Sequence, residues 1–232
     1  MKHEPKNILI VCAHPDDEVL GVGGAIQHHV SAGDKVSVVY VTDGYYTHNV
    51  NESIDARRDH ARAAASKLGV SDLHFLGKQG LKLDTYPRVE LNSLLADVFR
   101  RTRPHTVYTH HWGDVNFDHQ IVFDMTMVAS RPHRGIDINT VLTFETLSST
   151  EWSGTQSNSA FIPNKYLILS EKQIKLKIDA FECYGAEVLE YPNPRSSQGI
   201  KNLAKYRGQT ISQLFAESFF IVRMISVGIS SC

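Results

Sequence analysis

Residues 7–18 read NILIVCAHPDDE, an uninterrupted apolar run that ends in a histidine, a proline and three acidic residues. The apolar part, 7–13, has the length of a strand and the continuity expected of a strand that is buried on both faces. The segment 19–32 that follows predicts a helix in spite of its three glycines. A buried strand that passes through a short turn into a helix is typical of a parallel α/β sheet.

The rest of the chain repeats this alternation of short apolar runs and segments with helical periodicity. Further strands are predicted at 35–42, 73–76, 105–109, 136–143, 165–169 and 219–225, and further helices at 52–68, 91–99, 121–129, 171–183 and 198–206. We therefore expect an α/β, Rossmann-like three-layer fold, with a mostly parallel sheet and helices on both faces. The Ser/Thr-rich segment 147–159 is expected to be a surface loop that borders a pocket.

Composition excludes several classes of protein. The 232 residues are 42% apolar and 21% charged, which suits a folded domain rather than a disordered or membrane-spanning chain. A formal net charge of −1 offers no basic surface for nucleic acid. Three scattered cysteines without a CxxC pair favour a reducing, cytoplasmic location. Because no linker divides the chain, we expect one domain over 1–232, with the core sheet in 1–145 and a C-terminal elaboration in 146–232.

Polar side chains follow the first predicted strand at its carboxyl end, where open α/β sheets bind their ligands. His14 and Asp17 are three residues apart at the turn into a helix, so both can reach one cation. A histidine nitrogen and a carboxylate oxygen together suit zinc. The alternative is a helix N-terminus whose acidic residues only favour the helix dipole. Two adjacent aspartates beside a histidine at a strand end favour the metal site.

A second polar segment, 110–119, reads HHWGDVNFDH and follows the strand predicted at 105–109. It is therefore expected at the same edge of the sheet as His14. A catalytic zinc site has three protein ligands and one open position, and a histidine of this segment would supply the third ligand. Asp118 could orient a ligand imidazole. The alternative interpretation is a polar turn in which Asp114 or Asn116 caps the next helix.

These segments resemble the PIG-L/LmbE family of zinc-dependent deacetylases that act on N-acetylated sugars. The resemblance covers residues 7–130 and rests on the HPDDE motif, the glycines after it, Thr42-Asp43-Gly44, Arg57 at the head of an alanine-rich helix, and Asp118-His119. It implies that His14, Asp17 and His119 hold zinc and that Asp16 is the general base. The reaction expected from the resemblance is hydrolysis of an acetamide to acetate and a free amino sugar.

Asn116 departs from the family pattern, in which many members carry a histidine at this position. An asparagine can donate a hydrogen bond to an oxyanion but cannot shuttle a proton. Asn116 and Asp118 are expected beside Asp16 as catalytic residues. Either Asp16 acts as both base and acid, or another group helps, and His110, His111 and Asp114 are the nearest candidates in sequence. The candidate substrate-binding residues are Arg57, His111, Asp114 and Arg195. The aromatic side chains of Tyr45, Tyr46 and Trp112 could stack on a sugar, although such residues more often pack in a core.

The resemblance points to glycan or lipopolysaccharide assembly, with a substrate that is free or is linked to a nucleotide or lipid. One alternative is deacylation of an antibiotic or thiol-glycoside precursor, which would use the same zinc core. Another is a non-catalytic carbohydrate-binding protein, although the spare carboxylate of Asp16 argues against it. A two-metal hydrolase of phosphate esters would need more bridging carboxylates than this edge offers. The apolar segment 219–222 is expected to be part of a buried strand, with the interface of a homo-oligomer as the alternative.

Overall fold

Seven strands form one sheet in the computed structural model, which describes residues 4–44, 52–132, 137–154 and 158–226. The strands are β1 (Asn7–Cys12), β2 (Lys35–Thr42), β3 (Asp72–Lys78), β4 (Thr106–His110), β5 (Thr140–Phe144), β6 (Lys165–Ile168) and β7 (Ala216–Met224). Their order across the sheet is β3-β2-β1-β4-β5-β7-β6. Strands β1 to β5 pair in parallel, whereas β7 runs antiparallel to both of its neighbours. The predicted α/β fold with a mostly parallel sheet is confirmed.

Helices cover both faces of this sheet. They are α1 (Asp17–Ser31), α2 (Ile54–Leu68), α3 (Arg88–Thr102), α4 (Phe117–Ala129), α5 (Glu171–Phe181) and α6 (Ser197–Gln209). Side chains of α1, α2 and α5 share one apolar core with the sheet, and side chains of α3 and α4 share the other. No helix in the described ranges combines the length and the apolarity needed to cross a bilayer.

The strand β1 lies inside the sheet and is buried on both faces, which explains why its sequence is apolar. It contributes Ile8 and Ile10 to one core and Leu9 and Val11 to the other, because successive side chains of a strand point to opposite faces. Strand β2 pairs with one side of β1 and β4 with the other. The carboxyl ends of β1 and β4 therefore border the crevice at which such sheets bind ligands. Both predicted polar segments lie there.

The residues after 145 extend the same sheet. Strand β7 pairs directly with β5, and β6 pairs with the outer side of β7. Phe219 is fully buried in one of the two cores, so the strand predicted at 219–225 is confirmed. The C-terminal elaboration thus completes the sheet rather than standing apart from it.

Helix α1 is interrupted at Val22, whose φ of −137° and ψ of 16° are not helical. The interruption frees backbone groups, and two buried side chains from the C-terminal part of the chain take them up. Lys177 Nζ donates to the Leu20 carbonyl oxygen at 2.9 Å. The Glu217 carboxylate accepts from the N–H groups of Gly24 and of the next residue at 2.7 and 2.8 Å. Lys177 and Glu217 also pair with each other at 2.7 Å, so one ion pair supports both sides of the kink.

Candidate metal site

Three side chains converge in the crevice between the carboxyl ends of β1 and β4. His14 and Asp17 come from the turn after β1, and His119 comes from the first turn of α4. Nδ1 of His14 and Nε2 of His119 are 3.3 Å apart. These nitrogens lie 3.4 and 3.5 Å, respectively, from oxygens of the Asp17 carboxylate. The structure therefore brings together the three residues predicted to bind metal.

The separations suit a tetrahedral metal ion. Metal–ligand bonds of about 2.0–2.1 Å at tetrahedral angles place the ligand atoms about 3.4 Å from one another. Two imidazole nitrogens and one carboxylate oxygen form a donor set that zinc accepts, and a fourth position is left for water or substrate. The residues present therefore fit a zinc ion on distance and on chemistry.

The electrostatics of the cluster also favour a cation. Burial alone would raise the pKa of Asp17, but His119 and His110 outweigh burial and hold it well below its usual range. Burial alone would lower the pKa of His14, but hydrogen bonds with Asp118 and Asp17 outweigh burial and raise it to about 10. The carboxylates thus favour a cation at this point, and a metal ion can take the place of the proton on His14.

A carboxylate lies beside the outer ring nitrogen of each of the two histidines, His14 and His119. Asp118 Oδ2 lies 3.0 Å from His14 Nε2, and the same carboxylate accepts hydrogen bonds from the backbone N–H groups of Leu81 and Leu83. Asp114 Oδ2 lies 3.1 Å from His119 Nδ1. Such pairs keep the proton on the outer nitrogen, so that the inner nitrogen presents its lone pair to the metal.

Asp118 was expected to orient a ligand imidazole, and the imidazole that it contacts is that of His14. Neighbouring residues of a helix point in directions about 100° apart, so Asp118 does not face the ring of His119. Asp114 contacts His119 instead. Asp114 was expected to bind substrate, but it is 1% exposed and also accepts hydrogen bonds from Ser149 and Thr150.

Asp16 lies beside the metal ligands with its backbone in the left-handed region, at φ 105°. This region is sterically unfavourable for residues other than glycine. The Asp16 carboxylate accepts a hydrogen bond from Arg195, whose guanidinium also lies 3.2 Å from Glu187. Burial raises the pKa of Asp16 to about 7, although Arg195 acts in the opposite direction. A metal ion held by His14, Asp17 and His119 would leave the Asp16 carboxylate outside the ligand set, where a carboxylate can transfer a proton.

A cavity of about 170 Å³ opens over these groups, and its wall includes the predicted residues Arg57, Asn116 and Arg195. Asn116 caps α4, because its Oδ1 accepts from the Asp118 N–H at 2.9 Å. The Nδ2 amide is therefore the part of Asn116 that can donate to a ligand. Arg57 Nε lies 3.2 Å from Glu52 Oε2, and this ion pair holds the guanidinium group in place.

Some predicted residues lie away from this cavity. His111 is fully buried, and its ring packs against Trp112 and Phe161. Trp112 in turn packs against Phe220 and other rings, so both residues act in packing rather than in the cavity wall. His111 was expected to bind substrate, but it follows β4 on the side that faces these rings. Tyr45 and Tyr46 lie outside the described residues.

The sequence did not indicate the following contacts of the site. Glu187 lines the cavity and pairs with Arg195. Thr146 also lines it, beside Ser148 and Ser149 of the Ser/Thr-rich loop, which the sequence indicated only as a segment that borders a pocket. His110 is fully buried and stacks on His119 with ring centroids 3.8 Å apart. Burial, and then His119, lowers the pKa of His110 to about 4. His110 Nε2 accepts a hydrogen bond from the Ala13 N–H at 3.0 Å.

Several known proteins are similar to this chain in sequence. Residues 9–130, more than half of the chain, match the family described as PIG-L, GlcNAc-PI de-N-acetylase. A 4-oxalmesaconate hydratase of Pseudomonas putida is 33% identical over 143 residues, which cover 56% of this chain and 53% of the hydratase. A 1D-myo-inositol 2-acetamido-2-deoxy-alpha-D-glucopyranoside deacetylase of Mycobacterium sp. (strain KMS) is 35% identical over 130 residues, which cover 44% and 42%. The matches thus span about half the length of these two relatives.

The whole fold is similar to that of a solved deacetylase. The N,N'-diacetylchitobiose deacetylase from Pyrococcus horikoshii superposes with a TM-score of 0.76 over 95% of this chain and 85% of that chain. The sequence identity is 20%, so this likeness concerns the fold.

Proposed function

Since this chain belongs to the PIG-L family, we propose that it is a zinc-dependent deacetylase that removes the acetyl group from an N-acetylamino sugar. One observation carries the proposal. Two histidine nitrogens 3.3 Å apart, each within 3.5 Å of an oxygen of the Asp17 carboxylate, face the same cavity as a second carboxylate, that of Asp16. Amide hydrolysis at a metal site needs both, because the ligands bind the metal ion and the second carboxylate acts as a general base and acid.

His14, Asp17 and His119 would hold the ion, which when bound polarises the amide carbonyl and makes water a better nucleophile. The Asp16 carboxylate takes the proton from the attacking water, and the oxygen of that water forms the new bond to the acetyl carbon. Asp16 then gives this proton to the sugar nitrogen as the carbon–nitrogen bond breaks. The products are acetate and an amino sugar.

Two polar residues of the cavity wall contact the substrate in this proposal. The Asn116 amide donates to the acetyl oxygen as negative charge develops there. Arg57 contacts a hydroxyl or an anionic group of the sugar. The cavity is small and polar near the ligands, so the acetamide enters it and the remainder of the substrate extends over the Ser/Thr-rich loop.

The test is acetate release by purified protein from a panel of N-acetylamino sugars, both free and nucleotide-linked, with metal analysis of the same sample. We expect release that stops on chelation, returns with zinc, and is absent from Asp16→Asn. Zinc in the protein without acetate from any sugar would contradict the substrate class. Acetate release that survives complete metal removal would contradict the metal centre.

The hydratase relative provides a second candidate, namely addition of water to a carbon–carbon double bond of a carboxylated substrate. Arg57 and Arg195 in the cavity wall favour it, because guanidinium groups bind carboxylates well. Loss of the absorbance of 4-oxalmesaconate on incubation with the metal-loaded protein, together with no acetate release, would replace the deacetylase proposal with this one.

A further inference from the structure

Glu18 is the last residue of the HPDDE motif, and it serves neither as ligand nor as part of the cavity wall. Its side chain is fully buried. Glu18 Oε2 accepts a hydrogen bond from the Asp16 backbone N–H at 3.1 Å, and Oε1 accepts one from the Tyr184 hydroxyl at 2.5 Å. The buried carboxyl group of Glu18 therefore connects the backbone of Asp16, the proposed general base, to Tyr184, which lies 166 positions after Glu18.

Asp16, the residue that Glu18 holds, has an unfavourable backbone conformation. A φ of 105° persists at a residue other than glycine only where the surroundings impose it. The hydrogen bond from its N–H to Glu18 is such a constraint, because it fixes the peptide plane before Asp16. If that plane rotates, the Asp16 carboxylate leaves its place beside the metal ligands.

Tyr184 is itself held by its surroundings, so its hydroxyl can keep the Glu18 carboxyl group in position. It is 4% exposed, lies in the 3₁₀ segment Glu182–Glu187 and packs against Phe181. Burial, and then the neighbouring Glu18, raises the pKa of Tyr184, so its hydroxyl stays protonated and donates. The same C-terminal region carries Arg195, which holds the Asp16 side chain.

We propose that Glu18 and Tyr184 are positioning residues that hold the Asp16 backbone in its left-handed conformation and so keep its carboxylate beside the metal ligands. The kinetic part of this inference rests on the proposed function. The structural part, that the Asp16 amide is held by Glu18 and through it by Tyr184, does not.

The kinetic test compares Tyr184→Phe and Glu18→Leu with wild type in the metal-loaded enzyme. Misplacing a catalytic group by about 1 Å can cost up to about 100-fold, so we expect kcat to fall about 10- to 100-fold while KM and zinc content stay within about twofold. Glu18→Gln keeps an oxygen for the Asp16 N–H and an amide for the tyrosine oxygen, and it should recover most of kcat. Tyr108→Phe is the matched control, because it removes another buried hydroxyl, one that lies 3.0 Å from His29 Nε2.

Wild-type kcat in both Tyr184→Phe and Glu18→Leu would overturn the proposal. So would a loss of activity that follows zinc content, because that result would place the effect on the ligands rather than on Asp16. An equal loss in Tyr108→Phe would show a general effect of removing a buried hydroxyl and would overturn it as well.

Hydrogen exchange of the Asp16 amide, followed by NMR, supplies a readout that needs no turnover. We expect the amide to be protected in wild type and in Glu18→Gln and to exchange at least about tenfold faster in Tyr184→Phe, with the core strands unchanged. If wild type releases no acetate from any sugar, the proposed function fails, and the exchange of the Asp16 amide then tests by itself whether Glu18 and Tyr184 hold the Asp16 backbone. Unchanged exchange at Asp16 in the well-folded Tyr184→Phe variant would then refute the inference.

Discussion

The buried pair of Lys177 and Glu217 leads to a quantitative prediction for Lys177→Met. Both side chains are 5% exposed, and methionine fills the volume of the lysine stem without its charge. The substitution leaves the Glu217 carboxylate without its cation and the Leu20 carbonyl without a donor. Breaking a buried pair in this way costs about 3–5 kcal/mol. Because Glu217 keeps its two backbone hydrogen bonds, we expect the lower end, about 3 kcal/mol.

Urea unfolding followed by far-UV circular dichroism measures this difference. In a domain of this size about 3 kcal/mol corresponds to a fall in Tm of roughly 6–12 °C. The matched control is Lys175→Met on the same helix, whose lysine is 76% exposed and pairs with Asp179 at the surface. Because a surface ion pair adds little to stability, we expect the control to unfold at the urea midpoint of wild type.

Adding Glu217→Gln to Lys177→Met should recover at least about 1 kcal/mol, because no unpaired buried charge remains. The reasoning would be refuted if Lys177→Met unfolded within about 1 kcal/mol of wild type at an unchanged m value. It would also be refuted if the double variant were as unstable as the sum of the two single variants.

The remaining predictions concern the site and the pH dependence. Asp16→Asn should lower kcat by about 10²–10⁴-fold at wild-type zinc content, measured by acetate release and metal analysis, and near-normal turnover would contradict the general-base assignment. Asp114→Asn should weaken zinc affinity about 10- to 100-fold in a chelator competition, whereas unchanged affinity would show that this carboxylate does not support a ligand. Arg57→Ala should raise KM and leave zinc content unchanged; kinetics identical to wild type would remove Arg57 from the substrate contacts. Burial lowers the pKa of His29 below its usual 6.5, in spite of Asp34. The unfolded chain therefore binds a proton at His29 more readily than the folded chain does, so His29 reduces the stability of the protein as the pH falls below 6.5. Urea unfolding at about pH 7 and about pH 5.5 should show a smaller acid loss for His29→Gln, and an equal loss would contradict this.

Local sequence predicted those parts of the fold and site that depend on neighbouring residues. The continuous apolar run before His14 indicates a strand buried on both faces, and β1 has this environment. The parallel order of strands then brings residues after β1 and after β4 to one edge. That is why His14 and a histidine of the segment 110–119 could be assigned to one site from sequence, whereas the choice of His119, 105 positions after His14, came from the family resemblance.

The parts that sequence could not predict depend on which side chains meet across the folded molecule. Asp114 and Asp118 both precede His119, and only the direction of each side chain shows which carboxylate contacts which ligand. Lys177, Glu217 and Tyr184 lie in segments whose sequence resembles an ordinary amphipathic helix, strand and turn. Their roles arise from backbone groups of α1 and Asp16, which no side-chain pattern reveals.

The contact between Glu217 and α1 sets the order in which the protein can mature during synthesis. The Glu217 carboxylate accepts from Gly24, 193 residues earlier in the chain. At about 5–20 residues per second, the ribosome reaches Glu217 about 10–40 s after it has made Gly24. His14 and Asp17 are made before this interval begins and His119 is made during it, but until its end the N–H groups at the kink in α1 lack the carboxylate that accepts from them. The final hydrogen bonding of α1 is therefore a late event, one that follows the synthesis of β7.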